Sequence, residues 1–99
     1  MAYDTITDDE KYVYIAGQLL TYEQYKLAYN TSIAALHEML SKVSASEMTY
    51  RAQLNARISG EETELVKTQL MIDALKSQIP ADKISQSIAA AKAKNLAVS

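Results

Sequence analysis

The sequence predicts an all-α protein: long amphipathic helices, arranged as a coiled coil or as a helical hairpin or bundle, completed by oligomerisation. Three observations carry that prediction. The 99 residues include only two glycines and one proline, whereas a sheet protein needs Gly, Pro, Asn and Asp at each chain reversal. Apolar residues recur at alternating spacings of three and four, the period of one helix face. Motifs of the form S/T-x-x-E/Q, which cap a helix start from both ends of the motif, precede the apolar runs. One helical domain over residues 1–99 is expected, with a lead-in and short helix over 1–20, a long helix over 21–58, another over 59–79, and a C-terminal helix with a frayed tail over 80–99.

Each element has a local reason. Residues 1–6 read as irregular. Thr7 and Glu10 then form a capping box, and Asp8, Asp9 and Glu10 suit the positive end of a helix over residues 8–16. Gly17 fits the left-handed residue that closes a helix. The run Tyr12-Val13-Tyr14-Ile15 is β-branched and aromatic, so a short strand is the alternative there. Thr21 and Gln24 repeat the start motif, with Leu20 placed to pack on Tyr25 and the second helix beginning at Tyr22.

From that point one apolar stripe dominates. Tyr22, Tyr25, Tyr29, Ile33, Leu36, Leu40, Val43, Tyr50 and Leu54 follow the three-and-four spacing, interrupted at Glu47, and the stripe reaches back in phase to Ile15 and Leu19. The tyrosines on it supply apolar area and keep a hydroxyl for water or a partner, which suits half-buried seams. Asn30-Thr31-Ser32, made of modest helix formers, is a weaker candidate for a kink. After Leu54 the phase slips by one position: Ile58, Leu65, Ile72 and Ile79 form a seven-residue series, accompanied by Leu75. Either a coiled coil stutters at this point or the helix breaks, with Ser59, Gly60 and Glu62 restarting it in a new direction. A similar start motif at Ser44-Ala45-Ser46-Glu47 competes as an earlier break. Pro80 ends the third segment and opens the last, in which Ile84 and Ile88 lie four apart and helix is expected to about Asn95.

A helix over residues 22–58 would be about 55 Å long, far more than one small globule can cover. Another copy, or another protein, packed along the stripe is therefore expected. Lys26 and Glu47 sit where apolar residues would stabilise most, as residues that select register or partner do; a local ion pair with Arg51 is the simpler role for Glu47.

Chemistry is sparse. With no cysteine there is neither a disulfide framework nor a thiolate. His37 is the lone histidine, without ligands in a metal-binding spacing. Glu61, Glu62 and Glu64 cluster at the expected helix start, where they suit its dipole. No phosphate loop, nucleophile elbow or dinucleotide fingerprint is present, so no enzyme, cofactor or metal site is expected. A net charge of −2 gives no general attraction to nucleic acid or anionic lipid. Lys83, Lys92 and Lys94 follow the last acid, Asp82, and oppose the acidic start, a polarity suited to antiparallel pairing or head-to-tail stacking. The acidic N-terminus does not resemble a signal peptide, and no apolar run approaches a membrane span. Together these features predict a structural or assembly protein that acts as a homo-oligomer or docks on a larger protein; because phage particles use many short helical proteins without active sites, such a particle assembled in the host cytoplasm, or the cytoplasm itself, is the expected setting. An adaptor or chaperone-like module holding a partner segment on its Tyr/Leu face is the alternative.

Overall fold

The computed structural model describes residues 7–95, and they form an antiparallel helical hairpin with a short third helix folded back on its open end. Helix α1 spans Asp8–Lys42, α2 spans Met48–Lys76 and α3 spans Ile84–Ala93, the last preceded by a 3-10 turn at Ala81–Lys83. The molecule is elongated, 64 × 26 × 21 Å. The irregular lead-in expected over residues 1–6 and the tail beyond Asn95 lie outside the described residues.

Helix α1 begins where the sequence indicates. Thr7 accepts the Glu10 backbone N–H at 3.1 Å and donates its hydroxyl to the Glu10 carboxylate at 3.2 Å, so one side chain satisfies an orphan amide and fixes the first turn. The run at Tyr12–Ile15 is helical. The expected closure at Gly17 does not occur: the helix passes through it, and the Thr21 hydroxyl, rather than capping a new helix, donates to the Gly17 carbonyl at 3.1 Å. Thr31, Thr63 and Thr68 bond back to the carbonyl four residues earlier in the same way. A threonine inside a helix can thus use the hydroxyl that would otherwise mark a cap.

The chain reverses at residues 43–47, so the single long helix over 21–58 is two helices. Val43 leaves helical geometry with φ −84° and ψ 133°, and its N–H donates to the Leu40 carbonyl. The Ser44 hydroxyl accepts the Ser46 N–H at 3.3 Å and lies 2.9 Å from the Ser46 hydroxyl. Arg51 then reaches across the turn and donates to the Val43 carbonyl at 3.1 Å. Serine side chains supply the local hydrogen bonding that makes this turn without glycine or proline.

No break exists at Ser59-Gly60, because α2 continues through both and no glycine has a positive φ. The helix ends at Lys76, three residues before Ile79, in a tightened last turn, and Pro80 opens the 3-10 segment. Helix α3 closes at Ala93 with Asn95 at φ 55°, the left-handed position that asparagine tolerates.

Packing follows from the reversal. Leu36, Leu54 and Ile58 form the core near the turn, flanked by Ile33, Leu40 and Val43. Leu19, Ile72 and Leu75 form a second core near the open end with Ile15, Tyr22 and Ile88. Ala16, Ile79 and Ala91 join α3 to this end. Between the cores a polar layer crosses the hairpin, where the Ser32 hydroxyl donates to the Glu61 carboxylate, 2.8 and 2.9 Å from its two oxygens. At the open end Lys83 bonds Asp9 at 2.7 Å and lies 5.8 Å from the centre of the Tyr12 ring, tying the 3-10 turn to the start of α1.

Candidate functional site

The stripe that the sequence offers as an association seam is largely consumed within the chain. Leu19, Leu36, Leu54, Ile58, Ile72, Leu75 and Ile79 are buried. Ile15, Tyr22, Tyr29, Ile33, Leu40, Val43 and Leu65 are half-buried at its edges, while Tyr25 and Tyr50 are exposed. Tyr22 and Tyr25 meet edge to face, with ring centres 5.7 Å apart. The premise that a helix too long for its own chain needs a partner along this stripe therefore falls: α1 and α2 cover each other.

The two register candidates separate. Lys26 is half-buried on the face of α1 that carries Tyr22 and Tyr29. Glu47 is not on a helix face at all; it is the exposed residue preceding α2, with no side-chain capping bond, and Arg51 turns instead to the Val43 carbonyl. Five buried residues escape a stripe-based reading: Ala16, Gly17, Thr68, Ser87 and Ala91. Their common property is small size, which permits close approach, and Thr68 satisfies its own hydroxyl through the Glu64 carbonyl at 2.8 Å.

Turned away from this core is a surface that the stripe conceals. On α2 the residues Ala52, Ala56, Thr63 and Leu70 each precede an inward residue, Leu54, Ile58, Leu65 or Ile72, by two positions. Two positions are about 200° of rotation, so they lie on the opposite side of the helix. Met48, Ser59, Val66, Ala74 and Ser77 complete that line at spacings of three and four, and every member is exposed. None is charged. Met48 is 75% exposed, Leu70 63% and Val66 60%.

Helix α1 differs. Its N-terminal half is covered by α3 through Ala16 and Leu20, and its outward side near the turn carries the exposed Glu38–Lys42 pair at 3.3 Å. Past the end of α3 an open cleft is lined by Leu20, Glu23, Gln24, Leu27 and Lys92.

The remaining chemistry is dispersed. His37 is exposed on α1, and no group of three or more His, Cys, Asp or Glu among the described residues is placed to hold a metal ion. Lys83 is raised above its ordinary pKa, first by its hydrogen bond to Asp9 and then by the charge of that carboxylate. Lys92 and Lys94 are exposed near the end of α3 and make no ion pair among the described residues. No helix among the described residues is long and apolar enough to cross a membrane. No family model, no curated protein and no solved structure matches the chain.

Proposed function

We propose that this chain is a non-enzymatic helical assembly protein whose working surface is the outward, uncharged face of α2. The observation that carries the reading is the exposure of Met48, Val66 and Leu70 on a helix whose other face is already packed. A lone exposed leucine needs no explanation, but an uncharged helix face that exposes Met48, Val66 and Leu70 suits contact with another protein. The protein acts by self-association or by docking on a larger protein, and a small structural, scaffolding or connector component of a phage or virus particle is the setting that fits such a module. The adaptor reading loses the Tyr/Leu face to the hairpin and keeps only the open cleft at Leu20 and Leu27.

Light scattering coupled to size exclusion tests this on the wild type and on a variant carrying Val66→Glu and Leu70→Glu. The wild type is expected to exceed the 11.0 kDa of one chain at high loading. The variant should elute at one chain with the same circular dichroism, because both side chains face solvent. A wild type at one-chain mass at every concentration would overturn self-association through this face.

A further inference from the structure

We infer that this chain can exchange helices with a second copy of itself: the turn at residues 43–47 straightens, α1 and α2 become one helix, and each copy's α1 packs on the other's α2. This exchange does not involve the outer face of α2. The occupant of each seam is set by what already covers it, because the contacts that close the hairpin are equally available between two chains. Exchange of an identical element is a low-cost route to a dimer for that reason.

The turn is the first ground. None of its residues, Val43, Ser44, Ala45, Ser46 and Glu47, is glycine or proline, and none has a positive φ. Each can therefore enter a helix without strain. The helix ends on either side are weak. Val43 closes α1 in extended geometry, without a left-handed residue such as Asn95 beyond α3. Glu47 makes no side-chain capping bond to α2, and no acid stands in the first turn of that helix, whereas α1 starts on Thr7 with three acids. Locally the reversal is held by the Ser44–Ser46 contacts, by the Glu47 N–H donating to the Ser44 carbonyl at 3.0 Å, and by Arg51 on the Val43 carbonyl. A continuous helix replaces these with backbone bonds of its own.

Helical phase is the second ground. Leu36 and Leu54 are eighteen residues apart, as are Leu40 and Ile58, and eighteen residues make about five whole turns. On one straight helix the inward residues of α1 and α2 nearest the turn therefore point the same way, as an exchanged pair requires. Tyr50, exposed in the hairpin, follows Val43 by seven residues and precedes Leu54 by four, so it joins the common seam. A two-fold axis near Ser46-Glu47 sets it against Val43 of the second copy and restores the Ser32–Glu61 bond twice. Glu47 of the two copies approach there, each with Arg51 one turn away in its own chain. The straightened helix, from Asp8 to Lys76, would be about 104 Å long, against 64 Å for the folded hairpin.

A short turn holds α1 beside its own α2 at an effective concentration of order mM, so the hairpin prevails in dilute solution and exchange competes only near that chain concentration. Conversion breaks the cores that join α1 to α2, so either form, once folded, persists for as long as global unfolding takes.

Refolding from denaturant at about 1 mM and at about 1 μM chain, followed by size exclusion with light scattering, tests this. A dimer that survives dilution is expected from the concentrated sample alone. The chain has no cysteine, so labels on Asn30→Cys and Glu62→Cys, in chains refolded with excess unlabelled protein, report the distance within one chain. That distance should be within about 20 Å in the hairpin and about 48 Å in the dimer. Ser44→Ala with Ser46→Ala, which removes the serine contacts and favours helix, should raise the dimerisation constant about ten-fold or more, since each dimer holds two hinges. Ala45→Pro should keep the hairpin, where the Ala45 N–H donates no hydrogen bond, and abolish the dimer by breaking the continuous helix. The chain carrying Val66→Glu and Leu70→Glu should exchange as the wild type does. A dimer whose labels stay within the hairpin distance, or that Ala45→Pro forms equally well, would overturn exchange and leave association through the outer face of α2 standing. One-chain mass at both concentrations would overturn both.

Discussion

The two ends of the hairpin solve the same burial problem with different means. At the open end three helices meet: Ala16, Ile72 and Ala91 lose all exposure, and α3 and the segment before it cover the flank of α1. At the turn end only two helices meet, and Leu36, Leu54 and Ile58 are covered while Met39, Met48 and Tyr50 around them stay open. A helix pair buries one stripe from each member and no more. A third element is needed wherever a helix carries apolar residues on a second side, and α3 supplies it chiefly to α1, along its N-terminal half. Helix α2 carries a second, uncharged side over nearly its whole length, and none of the described residues covers it.

The largest effects should separate the two cores. Ile72→Ala removes a fully buried side chain where three helices pack and should destabilise by about 3–4 kcal/mol, whereas Leu54→Ala, near an open flank that can relax, should lie closer to 2 kcal/mol. Urea unfolding midpoints at equal slopes measure both, and a larger loss at Leu54 would break the comparison. The polar layer between the cores comes next. Ser32→Ala leaves the half-buried Glu61 carboxylate without its donor and should lower stability by about 1 kcal/mol in the same titration.

Smaller changes sharpen the picture. Gly60→Ala should stabilise the isolated chain by up to about 1 kcal/mol, since alanine suits a helix interior and finds open space there. Its measured thermal midpoint in dilute solution should rise. Thr7→Ala should remove about 0.5–1 kcal/mol through loss of the α1 cap, read as lower helicity and a lower midpoint.

The contribution of the Lys83–Asp9 pair should change with pH only at the alkaline limit. A lysine whose folded pKa is raised contributes stability that is complete below its unfolded value, near 10.4, and is lost as pH climbs through the folded one. Lys83→Arg, which keeps its charge, should therefore hold its midpoint better than the wild type above that range and match it at neutral pH. Thermal melts at paired pH values would show the crossing.

Sequence periodicity made the helical class legible because it records which side chains share a face, and that does not depend on where the chain turns. Turn positions were harder to read for a physical reason. Thr21 and Ser59 have the chemistry of caps, but Thr21 hydrogen-bonds within a continuous helix and Ser59 lends its carbonyl to Thr63. The actual reversal uses Ser44 and Ser46 and contains neither glycine nor proline. Tyr50 keeps phase across that turn, yet in the hairpin it is exposed on the edge of α2. The outer line of α2 was legible in principle, as a second uncharged series two positions ahead of the first, but alanine, serine and threonine register weakly in any hydrophobic pattern.

Thermal unfolding over a hundred-fold range of protein concentration, run on the wild type, Leu54→Ala and Leu70→Glu together, tests the division of α2 into a folding face and an associating face most directly. A self-associating fold gains stability by mass action, so the wild-type midpoint should rise with concentration. Leu54→Ala should shift that line down without flattening it, and Leu70→Glu should flatten it while leaving the dilute midpoint near that of the wild type. A flat wild-type line, or a Leu70→Glu line as steep as the wild type, would contradict the assignment.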